Sequence, residues 1–550
     1  MVGRNPGGEI GGVLDAVVIG SGPNGLVAAN LLADAGWDVL VLEAADSPGG
    51  AVRSATVTAP GFVSDLYSAF YPLAYASPVI SALRLESYGL RWLHAPLVLA
   101  HPTTDGRCAV LSRDLTETAC SLESWGAGDG AAWRSMYAGW SRVERPLLQA
   151  ILTPFPPVRA GLALAAAIGP ANLSRFVRFG LLPVRRFAEE EFRGAGGGLL
   201  LAGNALHTDL GPESAGSAIY GWLLGMLGQS VGWPVPAGGA GQLTEAMVRR
   251  LEDRGGRLEC GVTVERVEVR GNRAVGVRTA DGRSIAVRRA VLADVDAPRL
   301  YLSLVGADLL PARLMADLHR FQWDNATVKV DWALSGPVPW TAEPARRAGT
   351  LHLGGELDEL STYAHELALG LIPARPFVLF GQMTTADPSR SPAGTESAWG
   401  YTHVPQRPRG DAGGALTGRW DGAETDRFVE RLEERVEELA PGFRDRIVGR
   451  HVQTPVDFER GNANLRSGAL GGGTAALHQR LILRPAPGLG RAETPVAGLL
   501  LASSSAHPGG DVHGAPGANA ARAAIRQGRA GRRVLATAGG RAGALLRRPT

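Results

Sequence analysis

The stretch LDAVVIGSGPNGLVAANLLADAGWDVLVLE, residues 14–43, decides how the rest of the chain is read. Ala16, Val17, Val18 and Ile19 form a short apolar run of the kind a buried strand shows; Gly20, Gly22 and Gly25 follow at once, and an alanine- and leucine-rich helical pattern begins without a break. That order makes a dinucleotide-binding turn. Gly20 permits the tight turn, Gly22 lets the backbone approach a pyrophosphate, and Gly25 lets the helix pack on the strand. Ser21 and Asn24 sit among them, where the helix start offers free N–H groups and a positive dipole end to phosphates. A second apolar run, residues 38–42, ends at Glu43 and Ala44, about 20 residues past the glycines. An acid there binds ribose hydroxyls and repels a 2′-phosphate, so an adenosine ribose suits the site and NADP does not. The loop alone does not separate NAD from FAD.

Composition narrows the class. The 550 residues allow three or four domains, or two large interleaved ones. A hydrophobic fraction of 45% is enough for a sizeable core, and a net charge of +3 gives no reason to expect a nucleic-acid partner. The basic residues are nearly all arginine. Cys108, Cys120 and Cys260 lie far apart with no CxxC pair, which removes the redox-disulfide motif and the common zinc frameworks; with no HExxH either, no metal is expected. Sparse cysteines suit a reducing cytoplasm. Residues 1–12 and 531–550 read as flexible tails, the first without an apolar signal segment, the second basic and of low complexity.

After Glu43 the run SPGGAVRS places a turn at Gly49 and Gly50, with Arg53 in reach as a cation for pyrophosphate charge. This run, the glycine loop before it and APGFVSDLYSAFYPLAYASPVISALRLESYGL after it resemble the FAD-binding N-terminus of the phytoene desaturase and amine oxidase superfamily, in particular its pyridine nucleotide-disulfide oxidoreductase domain-containing protein 2 branch. One departure is that carotenoid desaturases carry arginine directly after the Gly-Gly, where this chain has Ala51.

Further along, residues 243–251 repeat apolar residues on one helical face. VTVERVEV, AVGVRT and SIAVRRAVLA then alternate around Gly271-Asn272 and Asp281-Gly282, which reads as a three-stranded meander returning to the first sheet. The resemblance implies that Val264 meets the adenine end of FAD. ADVDAP, residues 293–298, reads as the loop closing this segment. A second strand, glycine loop and helix occupies 498–525, with Leu499 to Leu501 as the strand and HPGGDVHG, residues 507–514, as the loop. In the resembled family the corresponding HPGGGV lies along the flavin. This implies contacts from Gly509, Gly510, Asp511 and Val512, Asp511 standing where a third glycine is usual. His513 is the candidate acid–base residue, because it sits in this loop and an ordinary histidine titrates near neutral pH.

Two sites at opposite ends of the chain suit a cofactor longer than a mononucleotide, and FAD is the expected one. The expected fold is α/β: a Rossmann-like FAD-binding domain with a β-meander, from residues 13–75, 235–300 and 465–530, interleaved with an α+β substrate or cap domain from 76–234 and 301–464. There is no second GxGxxG unit for NAD(P)H. The expected activity is an FAD-dependent dehydrogenase or desaturase taking hydride from a lipophilic small molecule onto flavin N5, with oxygen or a quinone as separate acceptor. An amine oxidase on the same fold is the alternative, disfavoured by an aromatic content of 6%. A non-catalytic prenyl-binding protein, like the Rab escort proteins, is the alternative of another class. Residues 146–187 are apolar and basic, and read first as a buried helical cap, second as a peripheral contact with a membrane's inner face in a cytoplasmic protein. His207 reads as a satisfied core or loop histidine.

Overall fold

A computed structural model describes residues 13–529; the expected tails at 1–12 and 531–550 lie outside the described residues. The first strand, Leu14–Ile19, is wholly buried, and at its end Gly20 turns the chain at φ +92° into the helix Pro23–Asp34. Proline fits at that start because its missing N–H would have had no partner in the first turn. The strand Val39–Leu42 returns parallel to the first, with Leu40 opposite Val17.

On the other side runs Ser284–Ala293, which serves two sheets in one. Its first part pairs antiparallel with Arg273–Thr279, and its last residues pair parallel with the first strand, Ala290 opposite Ala16. Arg273–Thr279 is joined to Val264–Arg270 by Gly271 and Asn272, both at positive φ as a type I′ hairpin requires. Leu499–Leu501 lies parallel beside the second part of the long strand, and Arg257–Glu259 forms the opposite edge. The C-terminal ends of five parallel strands therefore meet at one edge, where ligands of open α/β sheets bind. A helix over 515–529 follows Leu499–Leu501 and packs on the start of the first helix; a Cβ on Gly517 would lie 1.9 Å from the carbonyl oxygen of Asn24.

A second sheet of seven strands runs in the order Ile447–Gln453, Ala326–Leu334, Glu396–Val404, Val378–Gln382, Ala348–Leu353, Leu97–Pro102, Cys108–Leu111. The helix Gly422–Glu437 is capped by the Asp421 carboxylate and buries Phe428, Leu432 and Val436 in a core shared with one face of this sheet. The other face shares a core with the helices Asp129–Leu152, Ala195–Ala205 and Ser217–Ser230.

The expected buried cap over 146–187 needs correction. Leu147, Leu148 and Phe187 are buried, but the helices Val158–Ile168 and Leu173–Phe179 contain no buried residue. They are bent by 90° at the break between them, and no single described helix is long and apolar enough to cross a membrane. Leu164, Ile168, Phe176 and Phe179 pack inward, while Val158, Leu162, Leu173, Val177 and Leu181 stay exposed. These helices are apolar on more than one side, so burying one face leaves another outside.

A tight constraint in the glycine loop is at Gly25, where a Cβ would lie 2.2 Å from the Gly20 carbonyl oxygen. Gly25→Ala is expected to cost about 3 kcal/mol or more by overpacking. Gly36→Ala, at a left-handed turn with nothing within 4 Å, is expected to cost only about 1–2 kcal/mol. Denaturant midpoints of the two variants followed by circular dichroism check the order.

Candidate active site

Between the two sheets lies a cavity of about 870 Å³ that reaches from the glycine loop to the floor of the second sheet. Gly20, Gly22, Asn24, Glu43, Ala44, Gly50, Arg53 and Val264 line one end; Gly510, Asp511, Val512 and His513 line its middle with them. Ser21, Gly25, Gly49 and Gly509 stand behind this wall. Ser21 donates through its N–H and hydroxyl to one Glu43 carboxylate oxygen at 2.8 and 2.7 Å, while the Ala45 N–H donates to the other. Gly49 donates its N–H to the Ser21 carbonyl, and a Cβ on Gly509 would strike the Arg480 guanidinium.

Several expected roles change. Gly22 was expected to clear space for a pyrophosphate, yet a Cβ there would lie 2.6 Å from Asp294 Oδ2. Its smallness is demanded by the protein itself. Asp294 ends the long strand, accepts the Gly25 N–H at 2.8 Å at the helix start, and faces the cavity. Burial, with the Glu43 charge adding to it, pushes its carboxyl up to about 7 against the pull of that N–H. Arg53, expected as a cation within reach of pyrophosphate charge, lines the cavity and donates to the Gly50 carbonyl, the Tyr67 hydroxyl and the Gly461 carbonyl, and so also clamps the Gly-Gly turn.

His513 also departs from expectation. Its Nδ1 accepts the Ala515 N–H at 3.1 Å and its Nε2 lies 3.2 Å from the Gly510 carbonyl, so both nitrogens hold the loop. Burial pushes its pKa down to about 4, which keeps the ring neutral where an acid–base group would have to titrate. Asp511 lines the cavity beside it. It adopts φ +81°, the left-handed conformation of the glycine it replaces, and enclosure by protein raises its carboxyl pKa.

Other parts of the wall had not been singled out. Gly471, Gly472 and Gly473 form a loop against Gly510, and the fully buried Arg484 donates to the carbonyls of Gly471, Gly472, Gly473, Thr474 and Ser504. Burial without a carboxylate partner pushes this guanidinium down to about 9. The triple glycine in ALGGGTAA was the only sequence signal. The cavity is also more aromatic than a 6% content suggested, because Tyr67, Phe70, Tyr220, Trp233, Trp399 and Tyr401 all reach it. His207 lines it too, with its Nε2 held 2.9 Å from Nε2 of His352.

The family model for flavin containing amine oxidoreductase matches residues 24–525, nearly the whole chain. The chain belongs to that family. As an FAD-dependent oxidoreductase of the flavin containing amine oxidoreductase family, it is 27% identical over 559 residues to pyridine nucleotide-disulfide oxidoreductase domain-containing protein 2 of Rattus norvegicus, covering 93% of each chain. It is 28% identical over 511 residues to the lycopene-forming phytoene desaturase of Pseudescherichia vulneris, covering 90% of this chain and 96% of the relative. An oxidoreductase from Methanosarcina mazei has the same fold, with a TM-score of 0.61 at 15% identity over 93% of this chain and 100% of that one.

The residues present suit the family's cofactor. Asn24 Oδ1 is buried at the helix start with no hydrogen-bond partner in the protein, and buried polar atoms are rarely left so. Two helix starts adjoin there, offering partial positive charge to an anionic ligand.

Asp294 gives a pH test. Its carboxyl moves from an ordinary 3.8 to about 7 on folding, so folding takes up a proton between those values. The stabilisation is complete below the lower value and is lost as pH rises through about 7. Asp294→Asn is expected to flatten this fall in the denaturant midpoint of the flavin-free protein, measured from pH 5 to 8.

Proposed function

We propose that the protein oxidises a lipophilic, isoprenoid-like small molecule, with hydride passing from a substrate carbon to FAD and a separate acceptor, oxygen or a quinone, taking the electrons onward. The observation that carries this reading is the single continuous cavity: the glycine loops line one part, and Leu148, Ile151, Leu152, Leu223, Leu224 and Leu477 line another. The names of relatives such as the phytoene desaturases support the substrate class. When bound, FAD supplies the two-electron acceptor. Glu43, Ala44 and Val264 would hold its adenosine part, Gly22, Asn24 and Gly50 its diphosphate, and Gly510, Asp511 and Val512 its ring end.

The substrate loses a hydride and a proton, so something must accept the proton. Asp511 takes this role in place of His513: Oδ1 accepts the Val512 N–H, and Oδ2 is the atom that receives the proton. Its raised pKa makes it a stronger base than an ordinary aspartate. An amine oxidase is the second reading, and the aromatic lining is what favours it. Trp399 and Tyr401 stack on one another, 23° apart in plane and 5.8 Å between centroids, on one strand. Two rings side by side make a floor for an extended apolar chain more readily than a pair of walls around an amine. The flavin-family match leaves the escort-type reading without support.

The purified protein is expected to show a flavin absorption spectrum with about one FAD per chain released on denaturation. Anaerobic addition of a polyene is expected to bleach it, whereas simple amines leave it unchanged. Asp511→Asn is expected to slow that bleaching by about 10²-fold or more while retaining FAD.

The exposed face of the 158–182 region fits a peripheral contact with a bilayer. Leu162 is 69% and Val177 58% exposed, Arg159 and Arg175 lie among such residues, and Gly180 of the same segment lines the cavity. Apolar residues entering the acyl boundary, with arginines meeting anionic headgroups, would open the cavity toward dissolved substrate. Cosedimentation with vesicles of anionic phospholipid is expected for the native chain, with loss of at least tenfold in the Leu162→Asp, Val177→Asp double variant.

A further inference from the structure

Four residues before the buried Arg484, the chain brings a second guanidinium to the cavity wall, that of Arg480, to which no role has yet been given. Arg480 follows the turn Leu477–Gln479. Leu477 and Leu481 on either side of it line the cavity while staying 37% and 53% exposed, so the cavity opens to the outside here. The Arg480 Nε donates to the Ala475 carbonyl at 3.3 Å and Nη1 to the Pro508 carbonyl at 3.0 Å. Its guanidinium carbon lies 5.2 Å from the centroid of the Tyr220 ring. Leu223 and Leu224, three and four residues further along the helix Ser217–Ser230, share a face with Tyr220, and all three line the cavity. The cation therefore stands at the edge of the leucine-lined chamber.

Every protein partner of this cation is neutral. Among the described residues, no carboxylate oxygen lies within 4 Å of it. The acids in this part of the wall are committed elsewhere: Asp209 accepts the Thr474 hydroxyl and the Ala475 N–H, Asp324 the N–H groups of Leu470, Gly471 and Gly473, and Asp511 that of Val512. Arg480 Nη2 bonds to no protein group, yet unlike the enclosed unpartnered atoms of the chain it keeps accessible surface. Its N–H groups remain for a ligand. Arg484 offers nothing comparable, being fully buried with its donors spent on carbonyls. The diphosphate assigned above to Gly22, Asn24 and Gly50 belongs to the other glycine loop, whereas Arg480 abuts the turn at Pro508 and Gly509. Covering such a cation with hydrocarbon strips its water and returns nothing, while a carboxylate returns charge-assisted hydrogen bonds, a difference of about tenfold to a hundredfold in affinity.

We infer that Arg480 binds the carboxylate of an amphipathic acid whose apolar chain fills the leucine-lined chamber. The molecule oxidised is then a lipophilic acid, and its neutral ester is a poor ligand. The Tyr220 ring and the Pro508 carbonyl hold the guanidinium in place, and its remaining N–H groups meet the carboxylate oxygens. A single guanidinium suits a monoanion; a phosphate ester, with up to two negative charges, calls for more positive charge than Arg480 supplies. This rests on the oxidoreductase reading only in taking the bound molecule to be the one oxidised.

The test compares farnesoic acid with its methyl ester, which share a carbon skeleton and differ in charge, at about pH 8 where the acid is ionised. Binding to the FAD-containing protein is read by quenching of tryptophan fluorescence, Trp233 and Trp399 being in the cavity wall. The ester is the more hydrophobic, so partition alone favours it. The expected result is the opposite order, with the acid bound about tenfold more tightly or better. Arg480→Gln, which keeps an amide donor but no charge, should remove most of that preference and leave ester binding as it was; Arg480→Lys, which keeps the charge, should retain a preference for the acid. Equal binding of acid and ester, binding of neither, or a preference that survives Arg480→Gln overturns the inference. Farnesyl monophosphate bound more tightly than the acid overturns the assignment to a carboxylate. Flavin content and bleaching report separately on the oxidoreductase reading. A flavin-free preparation that still prefers the acid leaves this site standing and removes that reading, and a flavin-loaded enzyme without the preference does the converse.

Discussion

Asp294 and the glycine loop hold each other in place, and the cofactor end of the molecule depends on that contact. The carboxylate reaches the Gly25 N–H from 269 residues away, and the absent side chains of Gly20 and Gly22 are what let it come so near. Asn464 secures the other side by donating to the Asp294 carbonyl and accepting the Asp296 N–H. Three distant segments are thereby locked at the edge where the parallel strands end. A larger residue at Gly20 or Gly25 would displace backbone from backbone, which no rotamer change relieves, and one at Gly22 would displace the Asp294 carboxylate itself.

This contact also shows what a reader of the chain can and cannot see. The glycine loop, the meander with its Gly271-Asn272 turn and the helix around 243–251 were legible, because their determinants lie within a few residues of each other: apolar period and turn chemistry. What the chain does not show at Gly22, Arg53 and His513 is that each also has a partner in the protein: Asp294, Tyr67 with Gly461, and the Gly510 and Ala515 backbone. Polar groups beside a cavity are first engaged by the fold that builds it, and only what is left over is free for chemistry.

Composition failed in a related way. A 6% aromatic content says little about a cavity, since six aromatic residues reach this one. Apolar helices misled similarly: an alanine- and leucine-rich segment promises burial, but Val158–Ile168 has more apolar surface than the core has room to cover. Burial depends on whether a partner surface exists, and that is a property of the assembled layers.

The leftover groups are the informative ones. Asn24 Oδ1 at the helix start is buried without a partner in the protein, and Asp511 lines the cavity in a strained backbone conformation, its Oδ1 accepting the Val512 N–H. Left-handed backbone at a non-glycine residue costs of order 1–3 kcal/mol and persists where the surroundings over-determine it. Here the Gly471–Gly473 loop packs against Gly510, and Arg484 fixes that loop through its carbonyls. A guanidinium buried without a carboxylate is itself costly, so this wall of the cavity carries two destabilising features side by side. An ordinary glycine at 511 would relieve the strain and lose the carboxyl proposed as the proton acceptor.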